Sequence, residues 1–326
     1  MPILAFTKQP TPQLGGPHML EAIVQGVLLG GYYAVLAAGL SLMFGVVRFI
    51  NLAHGDMAVL GAMIALWFVQ GAGLHVAIAI ALTLPLMGAL GWLMQRMIFE
   101  RALQGGFLIP ILTTIGLGAA LQNGMFGLFG SDTKSLGAYI GNLSWASWEI
   151  PGGIFIGQLP GYMFLTAILV LGAVHVLLTR TAFGRAVRAT ATDSEAAALC
   201  GVDARRVHRG AAAIAVALAG LAGIFLAMRA QVTPFAGPML LIFAFEAVVI
   251  GGIGSLRGTL IGGIALGLAQ SLGAMISPQF SLLAGHCVFL AVLAYRLMSG
   301  AAAGRGGWRA TISALFFHKS MLRGKS

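Results

Sequence analysis

Nine apolar runs divide the chain, at about 20–47, 50–70, 73–97, 107–130, 161–179, 209–229, 239–255, 258–276 and 279–298. Most reach the roughly 20 residues that carry an α-helix across a bilayer. The seventh is short and contains Glu246, so it reads as a partial or broken span. Polar segments lie between the runs at about 98–106, 131–160, 180–208 and 299–326. This pattern predicts an all-α polytopic integral membrane protein with eight or nine transmembrane helices. It divides the chain into an N-terminal segment 1–19, a transmembrane domain 20–298 interrupted by a polar loop at 180–208, and a basic tail 299–326.

Composition points the same way. The chain is 59% hydrophobic and 9% charged, where a soluble domain carries about 25% charged residues. So few charges cannot build a water-facing surface, which excludes a soluble enzyme, a disordered chain and a secreted disulfide scaffold. The two cysteines, Cys200 and Cys287, stand far apart and offer neither a metal spacing nor a disulfide framework. No metal or other cofactor site is expected. Residues 1–19 lack the basic head, short apolar core and small-residue cleavage site of a signal peptide.

The net charge of +10 would point to nucleic acid on a soluble protein. Here the basic residues sit between apolar runs and set topology instead. With the 180–208 loop in the cytoplasm, sixteen of the 19 Lys and Arg fall on that side, leaving Lys8, Lys134 and Arg229 opposite. The positive-inside rule then places the N-terminus outside and the C-terminus inside, provided the seventh run crosses. Trp145, Trp148, Tyr139 and Tyr162 flank the outer 131–160 segment and read as interfacial anchors or as a binding surface.

Forty-seven glycines fit close helix packing through small-x-x-x-small pairs such as Gly26/Gly30, Gly254/Gly258/Gly262 and Gly263/Gly267. Gly251, Gly252, Gly254, Gly258 and Gly262 are assigned to such packing. Their stretch lacks the Gly-Lys-Ser/Thr ending of a phosphate loop, so nucleotide binding is not expected. Asn51, His54 and Asp56 are polar residues at the edge of an apolar run. Asn51 serves either as a helix cap with Asp56 near the positive helix end, or the three line a translocation path. His54 and Asp56 are two apart and do not share a helix face, which argues against a dyad. Glu246 is an intramembrane acid. It is either functional or an acid paired with Arg229 or Arg257 or set at the interface. His75, His175 and His286 are scattered singly and read as packing residues.

The 180–208 loop is the most informative segment. Thr192 or Asp193 can cap a short helix with an acidic first turn, Ala196 to Leu199 are strong helix formers, and Gly201 can end it. The result is a small-faced helix between two spans, suited to seating in a partner's groove or serving as an ordinary loop helix. Glu195-Ala196-Ala197 followed by Gly201 resembles the EAA-x-x-x-G signature of ABC importer permeases. Gly31-Tyr32-Tyr33-Ala34 through Gly39-Leu40, then Ile50-Asn51-Leu52-Ala53-His54-Gly55-Asp56, resembles the branched-chain amino acid permease family of the LivH type. So do Ala219-Gly220-Leu221-Ala222-Gly223 and the Val248–Gly258 stretch with Gly262-Gly263. These motifs span residues from about 20 to 290; the first 19 residues and the basic tail depart from the pattern.

The resemblance implies a permease subunit of an ABC importer in a bacterial inner membrane, for branched-chain or other amino acids, or alternatively for urea or short amides. It implies partner ABC ATPase subunits that hydrolyse the ATP, a second homologous permease chain and an extracytoplasmic solute-binding protein, so no catalytic residue is expected here. Asp193, Glu195, Ala196, Ala197 and Gly201 are the expected ATPase-coupling residues; Asn51, His54, Asp56 and Glu246 are candidates for the path. The rival from another class is a self-contained channel or secondary transporter, which needs no docking helix.

Overall fold

The computed structural model describes residues 16–302 apart from residue 107 and residues 151–153. The basic tail beyond 302 and most of the segment 1–19 lie outside the described residues. The helices are α1 (Gly16–Val47), α2 (His54–Leu66), α3 (Val76–Met94), α4 (Glu100–Ala102), α5 (Leu108–Phe129), α6 (Gln158–Arg180), α7 (Ala182–Thr192), α8 (Ser194–Leu199), α9 (Ala204–Arg229), α10 (Gly237–Gly251), α11 (Leu256–Ile276) and α12 (Phe280–Ala302). A π-helical turn, Trp67–Gly71, extends α2, and another, Gln95–Phe99, joins α3 to α4. All nine apolar runs are helical.

Among the described residues, seven helices are long and apolar enough to cross a membrane, and the chain is a multi-pass membrane protein. The eight or nine spans expected from sequence are these seven together with α2 and α10, the seventh run being the partial one. The second run was drawn from residue 50, but its helix begins only at His54. The seventh forms 15 helical residues, Gly237–Gly251, at about 1.5 Å rise each too short to span hydrocarbon alone. The outer 131–160 segment also departs from the all-helical expectation. Ser147–Ile150 (β1) pairs antiparallel with Ile154–Gly157 (β2), and Trp148 packs edge-on against Tyr162 at 5.3 Å.

The core is built on α1 and α9, whose middles are almost entirely buried. Small residues let backbones touch. α1 runs antiparallel to α11: a Cβ at Gly26 would lie 2.8 Å from Leu268 Cα, and one at Gly267 would lie 2.6 Å from Gly30 N. α2 lies along α9 through Gly61 against Gly220 and Ala62 against Gly223. α10 meets α11 where Gly251 faces Gly258 and a Cβ at Gly262 would come 2.7 Å from Gly251 N. Gly252 and Gly254, grouped with these by sequence, do something different. They turn the chain between α10 and α11 with φ of 100° and 80°, backbone that L side chains rarely adopt.

The basic residues gather at one end. Arg209 grips Glu100 with two hydrogen bonds, at 2.6 and 2.8 Å, and its guanidinium lies over Trp92, which Arg96 also faces. Arg48, Arg185, Arg188 and Arg205 lie at or near this loop end. Lys134 and Arg229 lie at the opposite, hairpin end, where Lys134 bridges to Val232 and Arg229 lies over the Tyr32 ring.

Candidate functional site

The segment after α1 carries the chain from the loop end into the bundle interior before α2 starts. His54, the first residue of α2, donates from Nε2 to the Leu36 carbonyl of α1 at 3.0 Å, and its ring fills the space beside Gly39. Its Nδ1 is buried without a hydrogen-bond partner. α2 therefore begins beside the middle of α1 and runs to the hairpin end. α10 begins at the same place: a Cβ on Gly55 would come within 2.8 Å of Leu241 N, and one on Gly237 would lie 2.8 Å from Asp56 N. From there α10 runs the other way, to the loop end. The N-terminal turns of α2 and α10 thus lie side by side inside the bundle, and the two helices run from there to opposite ends.

Asp56 sits at that junction. It is buried in the first turn of α2, against Gly237 of α10, and a Cβ at Gly118 of α5 would lie 2.7 Å from its Oδ2. Gln122 donates to its Oδ1 at 2.8 Å. A carboxylate there faces the positive ends of two helix dipoles, which favours its charge. Half-helix N-termini meeting inside a membrane bundle are a recurrent way to build a polar transport site. Asn51 is buried nearby, but it does not cap α2. Its Oδ1 accepts from Ala53 N at 3.1 Å, and Ala53 occupies the cap position with no side-chain bond. A turn through Leu52 and Ala53, closed by His54 N–H on the Asn51 carbonyl at 3.2 Å, separates Asn51 from the helix.

Glu246 belongs to a second polar group. Its carboxylate meets neither Arg229 nor Arg257; it accepts from His286 Nδ1 of α12. Arg257 instead approaches His175 at 3.2 Å. His286 stacks on Phe243, which packs on Tyr33, and the Tyr33 hydroxyl donates to Gln270 Oε1 at 2.5 Å. Four helices, α1, α10, α11 and α12, thus enclose two polar pairs, Glu246–His286 and Tyr33–Gln270, joined through the ring of Phe243. Asp56 meets the first residue of α10 and Glu246 lies about two and a half turns further along it, so the path candidates form two groups and not one.

The loop between α6 and α9 folds as α7 and α8. Asp193 ends α7 and caps α8, its Oδ1 accepting from Glu195 N and Ala196 N at 2.9 and 3.0 Å. Gly201 has φ of 81° with nothing near its Cβ position, so a side chain there is refused by backbone conformation alone. The outward face differs from the expected one. Ala197 is 5% exposed and turns toward its own chain, while Leu199 is 91% exposed. Glu195 and Ala196 share the outward face with Leu199, at spacings of four and three residues.

The profile of the family described as branched-chain amino acid transport system / permease component matches residues 22–302. The chain belongs to this family. The high-affinity branched-chain amino acid permease protein BraD of Pseudomonas aeruginosa is 28% identical to it over 290 residues, covering 86% of this chain and 94% of the relative. LivH of Escherichia coli, of the same description, is 29% identical over 293 residues, covering 85% and 93%. The fructose import permease protein FrcC of Rhizobium meliloti is 28% identical over 305 residues, covering 84% and 82%. No solved structure matches. This permease component thus covers most of the length of relatives whose names carry different solutes.

Sequence reasoning gave no site role to several residues that complete these groups: Gln122, His286, Tyr33, Gln270 and Leu199. Gln122 and Gln270 stood inside apolar runs, where an amide signals an interior face, and that signal was available. The partnership of His286 with Glu246 was not, because 40 residues and a turn separate them.

Proposed function

We propose that this permease component lines the membrane path of an ABC importer for branched-chain or related amino acids, powered by a separate ATPase that grips α8. The observation that carries the reading is the family match over 22–302 taken with the exposed, side-chain-capped α8 between two spans. A self-contained channel has no use for such a helix. A second homologous permease chain and an extracytoplasmic solute-binding protein complete the assembly. Asn51, His54 and Asp56 form a gate group on the path, and Glu246 a paired acid beside it. Asp193 and Gly201 shape the docking helix. The solute class is set by amino-acid relatives, and the fructose relative marks the main competitor. The test is ATP-dependent uptake of radiolabelled leucine, urea and fructose by vesicles containing the complete transporter. Leucine uptake supports the reading; urea or fructose uptake alone reassigns the solute, and uptake without ATPase subunits overturns it.

The loop end faces the cytoplasm of the inner membrane, with the N-terminus outside, the tail 299–326 inside and 20–298 forming the membrane domain. This orientation follows from the basic residues gathered at that end. Cys200 and Cys287 are both exposed and must first be replaced. Single cysteines at positions 134 and 188 are then expected to react with an impermeant reagent from opposite sides of the membrane. Reaction of both from one side contradicts the orientation.

A further inference from the structure

Arg48 is the single non-glycine residue with positive φ among the described residues, at 61°. It follows directly on the last turn of α1, where its N–H donates to the Phe44 carbonyl at 3.1 Å. That is the αL position closing a helix, ordinarily taken by glycine or asparagine because a Cβ there is disfavoured. A strained residue of the wrong type at a helix end points to a use for its side chain. The guanidinium of Arg48 has one: it donates to the Ala191 carbonyl at 2.5 Å and lies 3.4 Å from the Thr192 carbonyl. Those two carbonyls are the open C-terminal end of α7, where a cation is favoured.

The next residue after Thr192 is Asp193, which caps α8. Arg48 therefore holds one side of a junction whose other side carries the docking helix. In the opposite direction the route is also short. Phe49 is buried against Phe99 at 5.2 Å, Asn51 and Ala53 are buried, and His54 and Asp56 follow on the same strand of chain. Few residues separate the guanidinium from the carboxylate at the α2–α10 junction, and the anchored ones leave little slack.

We propose that Arg48 is the positioning residue that transmits movement of the α7–α8 loop to the N-terminal turn of α2. The proposal rests on the reading of α8 as the ATPase dock and adds the part that carries its motion inward. A push on α8 shifts Ala191 and Thr192. The forked guanidinium carries that shift to the end of α1 and the 49–53 segment, and so to Asp56 and the first turn of α10. Coupling requires a two-state element that both sites bias; in this proposal that element is the junction where α2 and α10 begin, at Asp56.

Arg48→Gly separates the side chain from the backbone, since glycine accepts the positive φ and lacks the guanidinium. In vesicles with the complete transporter, Arg48→Gly is expected to capture the ATPase at the wild-type level and to hydrolyse ATP. Solute moved per ATP is expected to fall about tenfold or more, the scale of losing a charge-assisted hydrogen bond. Arg48→Lys, which reaches one carbonyl at a time, is expected to recover part of the loss. If Arg48→Gly fails to insert, Arg48→Asn, which tolerates the left-handed backbone and is too short to reach Ala191, is read in the same way. Wild-type transport per ATP in either variant overturns the proposal. Loss of ATPase capture also overturns it, making Arg48 a support of the dock and not a link. Failure of the wild-type chain to capture any ATPase removes the docking reading itself, a distinct outcome.

Discussion

Leu199→Asp is expected to abolish capture of the ATPase while leaving the chain folded in the membrane. Leu199 is 91% exposed on α8 and makes no contribution to the core, so the substitution costs the isolated chain little. Its outward partners are Ala196, too small to block approach, and Glu195, whose charge suits a basic rim. Burying a leucine side chain at an interface is worth about 1.5–3 kcal/mol. A carboxylate in its place must also be desolvated, so the loss in affinity reaches roughly 100-fold or more. Pull-down of the ATPase from detergent extract reads this directly, with membrane yield as the control. Ala197→Trp acts differently, because Ala197 turns toward its own chain; a tryptophan there displaces α8 from its seat. Gly201→Val strains the turn that ends the helix, without entering the interface. Equal capture by wild type and Leu199→Asp shows that α8 is not the dock.

The correction at Ala197 shows where sequence stopped being informative. The short helix, its Asp193 cap and its Gly201 terminus were all legible, because each rests on backbone chemistry within a few residues. Which face turns outward depends on how α7 and α9 hold the helix, and six residues with four apolar neighbours in a row carry no periodicity to read. The nine apolar runs were legible for the same local reason. The late start of α2 was not: residues 50–53 read as part of the apolar run, and only the turn closed by His54 N–H on the Asn51 carbonyl at 3.2 Å, with the packing of His54 against Leu36 and Gly39, shows that the helix begins after them. Likewise, Gly252 and Gly254 share the small-x-x-x-small spacing with Gly258 and Gly262. Spacing alone cannot separate a glycine needed for contact from one needed for φ.

The orientation of α10 ties the two polar groups together. Its first residue touches Asp56 and its second half carries Glu246, so a tilt of this one short helix moves both. Its anchors at the far end are Gly251 against Gly258 and the Arg296 guanidinium, which donates to the Ile250 carbonyl at 3.0 Å. Rigid small-residue packing at one end and a charged junction at the other suit a helix that pivots as a body.

His286→Leu is expected to be more damaging than Glu246→Gln, and the double variant Glu246→Leu/His286→Leu less damaging than His286→Leu alone. Glu246 has a side chain only 3% exposed, whereas His286 is 43% exposed on α12. Removing the histidine leaves the carboxylate buried without its donor. Its second oxygen already has no hydrogen-bond partner, so no other group takes over. Breaking a fully buried pair costs about 3–5 kcal/mol, and less is expected here because His286 is 43% exposed, while replacing both partners by apolar residues is often close to neutral. Glu246→Gln keeps an acceptor for His286 and removes the charge, so it is expected to fold. The measurement is thermal melting of detergent-purified chain together with uptake by the assembled transporter. If the pair is structural, the double variant recovers both melting temperature and uptake. If Glu246 also serves the path, the double variant recovers melting temperature and not uptake. Equal melting temperatures for His286→Leu and wild type contradict the pairing, because a buried carboxylate left without its donor costs free energy whether it stays ionised or takes up a proton to become neutral.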